Sequence, residues 1–228
     1  MSGRSPLLQR LAIHVARALE EKLPVLHVIP DQDLISHGVF AEAPFDHLRW
    51  VVLSGSFNPL HTGHEQLLAA AGEYLGQVEP WRKHSPAYEL SFGNADKPSL
   101  SMEAFLSRAQ QFIQREAAFF VTFPAAPLFF DKMQLVPDSV WAIGYDTATR
   151  LVDLKYYGQD PQRLAAGFAR IERLGCMFLV AGRFQSGVFK EASAFRPPAA
   201  YSHLFHALPN FRVDLSSTEV RQQQSSKL

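Results

Sequence analysis

The sequence contains a single cysteine, Cys176, in 228 residues, which excludes an internal disulfide and fits a reducing compartment. No stretch approaches the ~20 consecutive apolar residues of a membrane span. Residues 1–20 also lack the apolar core of a secretory signal. The 22 basic side chains balance the 22 acidic ones, so no excess charge attracts nucleic acid or an anionic membrane. We therefore expect a cytoplasmic protein that binds neither of them.

The last three residues bear on location in a different way. The sequence ends in Ser226, Lys227 and Leu228. In a eukaryote this ending is a peroxisomal address, whereas in a bacterium it has no such meaning. A peroxisomal location is therefore the alternative to the cytoplasm for a eukaryotic source.

Hydrophobic residues make up 47% of the chain and charged residues 19%, a composition typical of globular proteins. From Leu7 to Leu19, apolar residues recur at helical spacing, and Val25 to Ile29 is a short apolar run that suits a strand. We assign residues 1–48 to an N-terminal helical extension, which either packs on the main sheet or is the remnant of a separate domain. Residues 49–228 form the main domain.

Strand-like and helix-like patterns alternate along this main domain. The predicted strands are 50–53, 88–92, 119–123, 141–144 and 177–180, and the predicted helices are 67–75, 102–115 and 164–174. Such alternation predicts an α/β fold in which crossover helices cover a parallel sheet. Apolar and polar residues alternate in the run 88–92, so we expect that strand to be half-buried.

The segment from Gly55 to His64 follows one predicted strand and opens a predicted helix. Backbone N–H groups at a helix start point towards an anion in the turn, and Gly55 and Gly63 let a ligand approach the backbone closely. His61 and His64 are three residues apart, so both lie on one face of the first helical turn. Two imidazoles there can donate hydrogen bonds to phosphate and, when protonated, offset its charge. Surface or capping histidines are the alternative, and zinc would need at least a third ligand.

A second candidate anion site lies near the end of the sequence. Ser216, Ser217 and Thr218 precede a helix-like stretch that contains Arg221. Hydroxyl groups at a helix start, free N–H groups and a cation one turn later together suit an anion. An ordinary capped helix is the alternative interpretation.

The two segments, in this chain order, resemble the motifs of the HxGH nucleotidylyltransferase superfamily. Residues 55–64 resemble its signature, and residues 216–221 resemble the motif that holds the triphosphate. With Asn58, the first segment looks most like that of nicotinamide mononucleotide adenylyltransferases, because pantetheine-phosphate adenylyltransferases and cytidylyltransferases usually carry Asp there. Residues 88–98 and 146–157 are similar to a subgroup described as nicotinamide mononucleotide adenylyltransferase-like or cytidylyltransferase-like. Residues 49–221 carry the resemblance.

The resemblance implies a three-layer, Rossmann-like nucleotidylyltransferase fold, in which a substrate phosphate attacks the α-phosphorus of ATP directly. His61 and His64 would act on the α- and β-phosphates. Arg221 would act with Ser217 and Thr218 on the β- and γ-phosphates. Mg²⁺ would accompany ATP through phosphate and water ligands, so we expect no protein metal cage. The nucleotide-binding residues implied are Gly55, Ser56, Phe57, Asn58, Gly63, Gly144, Asp146, Ser216, Ser217 and Thr218.

Asp146 and three further residues are candidates for ligand contacts. Asp146 follows a predicted strand, where a carboxylate can accept hydrogen bonds from ribose hydroxyls or cap the next helix. Trp81 can stack on a base or a nicotinamide ring, or else cover the core. Lys97 and Arg183 are candidates for contact with a phosphate or a nucleotide.

The function we expect is that of a nicotinamide-nucleotide adenylyltransferase, which makes NAD and diphosphate from ATP and nicotinamide mononucleotide (NMN). Nicotinate mononucleotide (NaMN) is an equally suitable acceptor. One alternative is a cytidylyltransferase that acts on a sugar or alcohol phosphate. An alternative of another class is a non-catalytic, nucleotide-binding regulatory protein, since a fold does not fix a function. The sequence does not indicate the oligomeric state.

Overall fold

The structure, a computed structural model, describes residues 5–37, 48–93, 99–185 and 188–212. Within these ranges, no helix is both long enough and apolar enough to span a membrane. The helices are α1 (Pro6–Glu20), α2 (Thr62–Val78), α3 (Met102–Ile113), α4 (Phe129–Leu135), α5 (Tyr145–Leu151) and α6 (Pro161–Arg173). The strands are β1 (Val25–Ile29), β2 (Leu34–His37), β3 (Leu48–Gly55), β4 (Lys83–Ser91), β5 (Phe119–Thr122), β6 (Val140–Gly144), β7 (Met177–Ala181), β8 (Arg183–Gln185), β9 (Val188–Lys190) and β10 (Phe205–Ala207).

One eight-stranded sheet organises the molecule, in the order β10-β7-β6-β3-β4-β5-β1-β2. The strands from β10 to β5 pair in parallel, whereas β1 pairs antiparallel with both β5 and β2. The expected α/β class with a mostly parallel sheet is therefore confirmed. The chain passes from β3 through β4 to β5, and then crosses over to β6 on the other side of β3. This reversal makes a topological switch point between β3 and β6, where open α/β sheets bind their ligands.

Helices cover both faces of the sheet, so the molecule has three layers. Val51 and Leu53 of β3 point into one core cluster, which α1, α2 and α3 also line. Trp50 and Val52 point into the opposite cluster, which α4, α5 and α6 line. A strand buried on both faces is expected in the parallel part of such a sheet.

The N-terminal segment is built into this same sheet. The predicted helix is α1 and the predicted strand is β1, and a further strand, β2, follows at Leu34–His37. Leu11 and Val15 of α1 lie in the core cluster that α2 and α3 line. The division into domains at residue 48 stays a prediction, because packing of this kind occurs in either case.

One expectation about the main domain is wrong. The strand β4 is not half-buried, because Glu89 on its supposed solvent side is fully buried under α4. The antiparallel pair β8 and β9, which follows β7, is an addition to the predicted strands. The predicted helices and the other predicted strands are present, with ends shifted by a few residues.

Candidate functional site

The turn between β3 and α2 lies at the switch point of the sheet. β3 ends at Gly55, His61 caps α2, and His64 lies in its first turn. The imidazole rings of His61 and His64 stack, with centroids 3.7 Å apart and planes inclined by 25°. The sequence prediction that both histidines share one face of the helix start is therefore confirmed by geometry.

The hydrogen bonding of His64 fixes which of its ring nitrogens carries the proton. The backbone N–H of His61 donates to Nδ1 of His64 over 3.3 Å. Nδ1 is therefore an acceptor, and the proton of the neutral ring resides on Nε2. Burial, His61 and Arg183 together lower the pKa of His64 to about 3. The ring is thus a neutral N–H donor near pH 7, not the cation that the sequence analysis also allowed.

The ring of Phe57 packs under the turn, on its core side. The φ of 43° at this residue lies in the left-handed region, which is costly for a bulky residue and recurs at functional sites. Its buried ring lies edge-on to His64 and to Tyr88. A Cβ atom at residue 55 would lie 2.9 Å from this ring, so the close packing requires the glycine. The side chain of Phe57 belongs to the core, and only its backbone can line a cleft.

Two further segments reach the same edge of the sheet. Asp146 lies in the first turn of α5 after β6, and Arg183 follows β7 by two residues. Arg183 Nη1 donates to both carboxylate oxygens of Asp146 over 3.0 Å. The positive charge of Arg183 also contributes to the lowered pKa of His64. The three side chains therefore interact electrostatically. Residues far apart in sequence thus meet at the carboxyl ends of β3, β6 and β7.

Gly144 packs closely against this ion pair. It is the last residue of β6, and a Cβ there would lie 3.0 Å from a carboxylate oxygen of Asp146. The carboxylate therefore packs directly on the strand end. Of the other predicted nucleotide contacts in this turn, Ser56 and Asn58 are exposed and Gly63 is buried under the helix start.

Trp81 does not lie with these residues. It lies in the turn between α2 and β4, where the chain has returned to the amino ends of the parallel strands. Its side chain is 79% exposed, so the alternative that it covers the core is wrong, and a stacking role for this ring stays a prediction. The predicted residues Lys97, Ser216, Ser217, Thr218 and Arg221 lie outside the described residues.

A buried polar network supports the strand ends from the α4 side. Glu89 Oε2 accepts hydrogen bonds from Ser54 Oγ at 2.5 Å and from Lys132 Nζ at 3.0 Å. The hydroxyls of Ser91 and Thr122 donate to Oε1. Burial alone would raise the pKa of Glu89, but Lys132 and the hydroxyl donors outweigh it and hold that pKa below its usual range. The network therefore contains a carboxylate and an ammonium group, both withdrawn from water.

The sequence analysis missed a contact from α3 to the histidine turn. Gln111 on α3 donates from Nε2 to the carbonyl oxygen of Phe57 over 3.0 Å, and its Oε1 accepts from the N–H of Leu60 over 2.8 Å. One turn earlier, Arg108 donates to the carbonyl oxygen of Ser56 over 3.0 Å. No local sequence signal marks these side chains, because their partners lie some fifty residues away in the chain.

Metal ligands are not grouped at this edge. Among the residues that the structure describes, no three His, Cys, Asp or Glu side chains are grouped so that they could hold a metal ion. Histidines 61 and 64 stack on each other rather than converging on a common point.

Comparison with solved structures gives a distant similarity. No protein-family model and no curated protein match the chain. Among solved structures, it is similar to a Plasmodium falciparum nicotinic acid mononucleotide adenylyltransferase complexed with NaAD, with 15% sequence identity and a TM-score of 0.44. The match covers 77% of this chain and 83% of that chain. At this identity and TM-score, the similarity decides nothing about function.

Proposed function

We propose that this chain is a nucleotidylyltransferase, and specifically an adenylyltransferase that joins ATP to NMN or NaMN and releases pyrophosphate. The single observation that carries the proposal is the stacked pair His61 and His64 at the start of α2, at the switch point between β3 and β6. The helix start supplies N–H groups and a positive partial charge. The motif resemblance at residues 55–64 supplies the reaction class.

The proposed reaction is a direct displacement at phosphorus. A phosphate oxygen of the acceptor attacks the α-phosphorus of ATP and forms a new P–O bond. The bond from that phosphorus to the bridging oxygen breaks, and pyrophosphate leaves with the electron pair. Because the attacking phosphate is already an anion, the protein needs no strong base. Its task is to align two anions and to offset their charge.

Three of the described side chains at this edge have a role in the proposed reaction. His64 Nε2–H donates to a phosphate oxygen, and the nearby negative charge would raise the pKa of the ring, since an opposite charge favours the protonated form. Arg183 would exchange its carboxylate partner for phosphate. Asp146, released from Arg183, would accept hydrogen bonds from ribose hydroxyls. Mg²⁺ would enter as part of the nucleotide substrate, held by phosphate oxygens and water. The triphosphate contacts proposed for Ser217, Thr218 and Arg221 complete the scheme from outside the described residues.

The test is pyrophosphate release with Mg²⁺, in which ATP and CTP are each crossed with NMN, NaMN and a panel of sugar and alcohol phosphates. We expect release with ATP and a pyridine mononucleotide. The variant His64→Ala should lose roughly 100-fold or more in kcat, the usual cost of one preorganised donor. His203→Ala is the matched control, because that histidine is on the surface beside Glu172, and it should retain full turnover.

Other outcomes would change the proposed function or its mechanism. Release with CTP alone would make the protein a cytidylyltransferase. Nucleotide binding without release from any pair would favour a non-catalytic binding protein. Unchanged turnover in His64→Ala would overturn the proposed mechanism even if the substrates were right.

A further inference from the structure

The side of α3 that meets the histidine turn carries two polar side chains one helical turn apart, and a third follows in the turn after the helix. Arg108 donates to Ser56, Gln111 bonds to Phe57 and Leu60, and Arg115, just beyond the end of α3, forms an ion pair with Glu65 in the first turn of α2 over 2.7 Å. Positions separated by three residues lie on one side of a helix. These three side chains together contact the turn from the end of β3 to the start of α2.

Gln111 is the middle one of these three side chains, and its two bonds have a particular pattern. Phe57 and Leu60 are the first and fourth residues of a four-residue turn. An ordinary β-turn closes through the carbonyl of its first residue and the N–H of its fourth. Here those two groups each bond to the amide of Gln111, at 3.0 and 2.8 Å. The side chain thus spans the turn and sets the separation of its ends.

The primary amide of Gln111 meets two hydrogen-bonding requirements at once. The carbonyl oxygen of Phe57 needs a donor and the N–H of Leu60 needs an acceptor, and a carboxamide carries one of each on a planar group. The conformation that it holds includes the left-handed φ of 43° at Phe57, which a bulky residue keeps only when its surroundings enforce it.

The position of Leu60 links this contact to the histidines. Leu60 directly precedes His61, whose own N–H donates to Nδ1 of His64. A shift of the backbone at Leu60 would move the N–H of His61 and therefore the ring of His64. The side-chain amide of Gln111 bonds to the backbone of Phe57 and Leu60 and, over 3.4 Å, to the carbonyl oxygen of Arg108.

We propose that Gln111 is a positioning residue of the site, whose amide fixes the backbone from Phe57 to Leu60 and thereby the placement of His61 and His64. The expected effect on catalysis rests on the proposed function, whereas the effect of Gln111 on the backbone of the turn does not. Misplacement of a reacting group by about 1 Å costs roughly 100-fold in rate, so the side chain influences catalysis without touching a substrate.

The experiment compares Gln111→Met with Gln110→Met. The methionine keeps the length of the side chain and removes both hydrogen bonds. Gln110 is exposed on the same helix, so the same replacement there is the matched control. Amide hydrogen exchange of the protein without substrates should speed up at Leu60 and His61 by roughly tenfold or more in Gln111→Met, because local opening becomes easier. Exchange in Gln110→Met should match that of the wild type.

Steady-state kinetics then separate positioning from simple support of the fold. In Gln111→Met we expect kcat to fall by roughly 10- to 100-fold, with KM for the nucleotide little changed, because misplaced histidines stabilise the transition state less while most contacts to the bound nucleotide remain. If Gln111→Met is too unstable to assay, Gln111→Glu keeps the acceptor for Leu60 and loses the donor to Phe57, and should change both readouts in the same direction.

The two readouts also distinguish this proposal from the proposed function. Unchanged exchange at Leu60 would overturn the role of Gln111, whatever the activity. Faster exchange with the kcat of the control would overturn its positioning role and leave only a structural one. If the wild-type protein transfers no nucleotidyl group, the proposed function fails, and the exchange data alone still decide whether the amide holds the turn.

Discussion

A proton on His64 is disfavoured by burial and by two neighbours that the fold brings together. The ring is half-buried, it stacks on His61, and it feels the positive charge of Arg183, so its pKa falls to about 3. An anion bound at this place would add the opposite charge and raise that pKa. Anion binding and protonation of His64 therefore favour each other.

The same shift makes stability depend on pH in a defined direction. The unfolded chain binds a proton at His64 near pH 6.5, whereas the folded protein does not bind it until about pH 3. The free energy of unfolding should therefore fall as the pH drops below 6.5, by at most about 1.4 kcal/mol per pH unit from this group. Above pH 6.5 the contribution of this group is constant.

Urea unfolding of the wild type and of His64→Gln between pH 7.5 and 4.5 measures this contribution, because the difference between the two proteins cancels the other titrating groups. We expect wild-type stability relative to the variant to decrease on acidification. A difference that stays constant over the whole range would contradict the shifted pKa.

The residues of the site differ in how far the sequence could predict them. The histidine pair could be found because its spacing and the helix start are local properties of ten residues. The neutral state of His64 could not, because it depends first on burial of the ring in the folded protein, then on His61, and also on Arg183, which another crossover connection brings to the same edge. Gln111 could not be found either, since a glutamine on a helix carries no sign of what lies opposite its side chain.

At the scale of elements, β4 is the most informative error. Its alternating pattern indicated a half-exposed strand, yet α4 covers the supposed polar side and supplies Lys132 as the partner of Glu89. Pattern alone cannot distinguish a polar residue that faces water from one that faces a buried counter-charge. The seven-residue helix α4 was itself missed, because two turns are too short for a clear helical period.

The buried pair gives a prediction of its own. Replacing one partner leaves an uncompensated charge, so Lys132→Met should lower the free energy of unfolding by about 3–5 kcal/mol. The double variant Glu89→Gln with Lys132→Met should recover part of that loss, since no buried charge then remains. Chemical denaturation of the two variants and the wild type measures both effects.

The control for this pair is an exposed one. Arg17 and Glu21 form an i,i+4 ion pair on the surface of α1, with side chains 64% and 45% exposed. The variant Arg17→Met should change stability by less than about 1 kcal/mol. Equal losses from Lys132→Met and Arg17→Met would show that the network under β4 is not withdrawn from water.

At the scale of the whole molecule, α1 shares its core with the helices that carry and hold the candidate site. Leu11 is completely buried in that core, whereas Ile13 on the same helix is 70% exposed. The variant Leu11→Ala should therefore lower stability by about 2–5 kcal/mol in one cooperative transition, as large-to-small core changes do. Ile13→Ala is the matched control and should have almost no effect.

This comparison also tests the domain division. A separate N-terminal domain would unfold on its own, so Leu11→Ala would then produce an early transition and leave the main one unchanged. Circular dichroism and the fluorescence of the tryptophans, all of which lie beyond residue 48, would report the two cases differently. Coincident transitions by both probes would indicate a single cooperative unit.

The eight-stranded sheet has a short strand at each edge. In the described part of the chain, the outermost strands are β2 with four residues and β10 with three. A strand of that length presents only roughly two outward-facing hydrogen-bonding pairs to a neighbour. A strand from another molecule would therefore form few backbone hydrogen bonds with either described edge. Such short edges disfavour edge-to-edge association of the sheet.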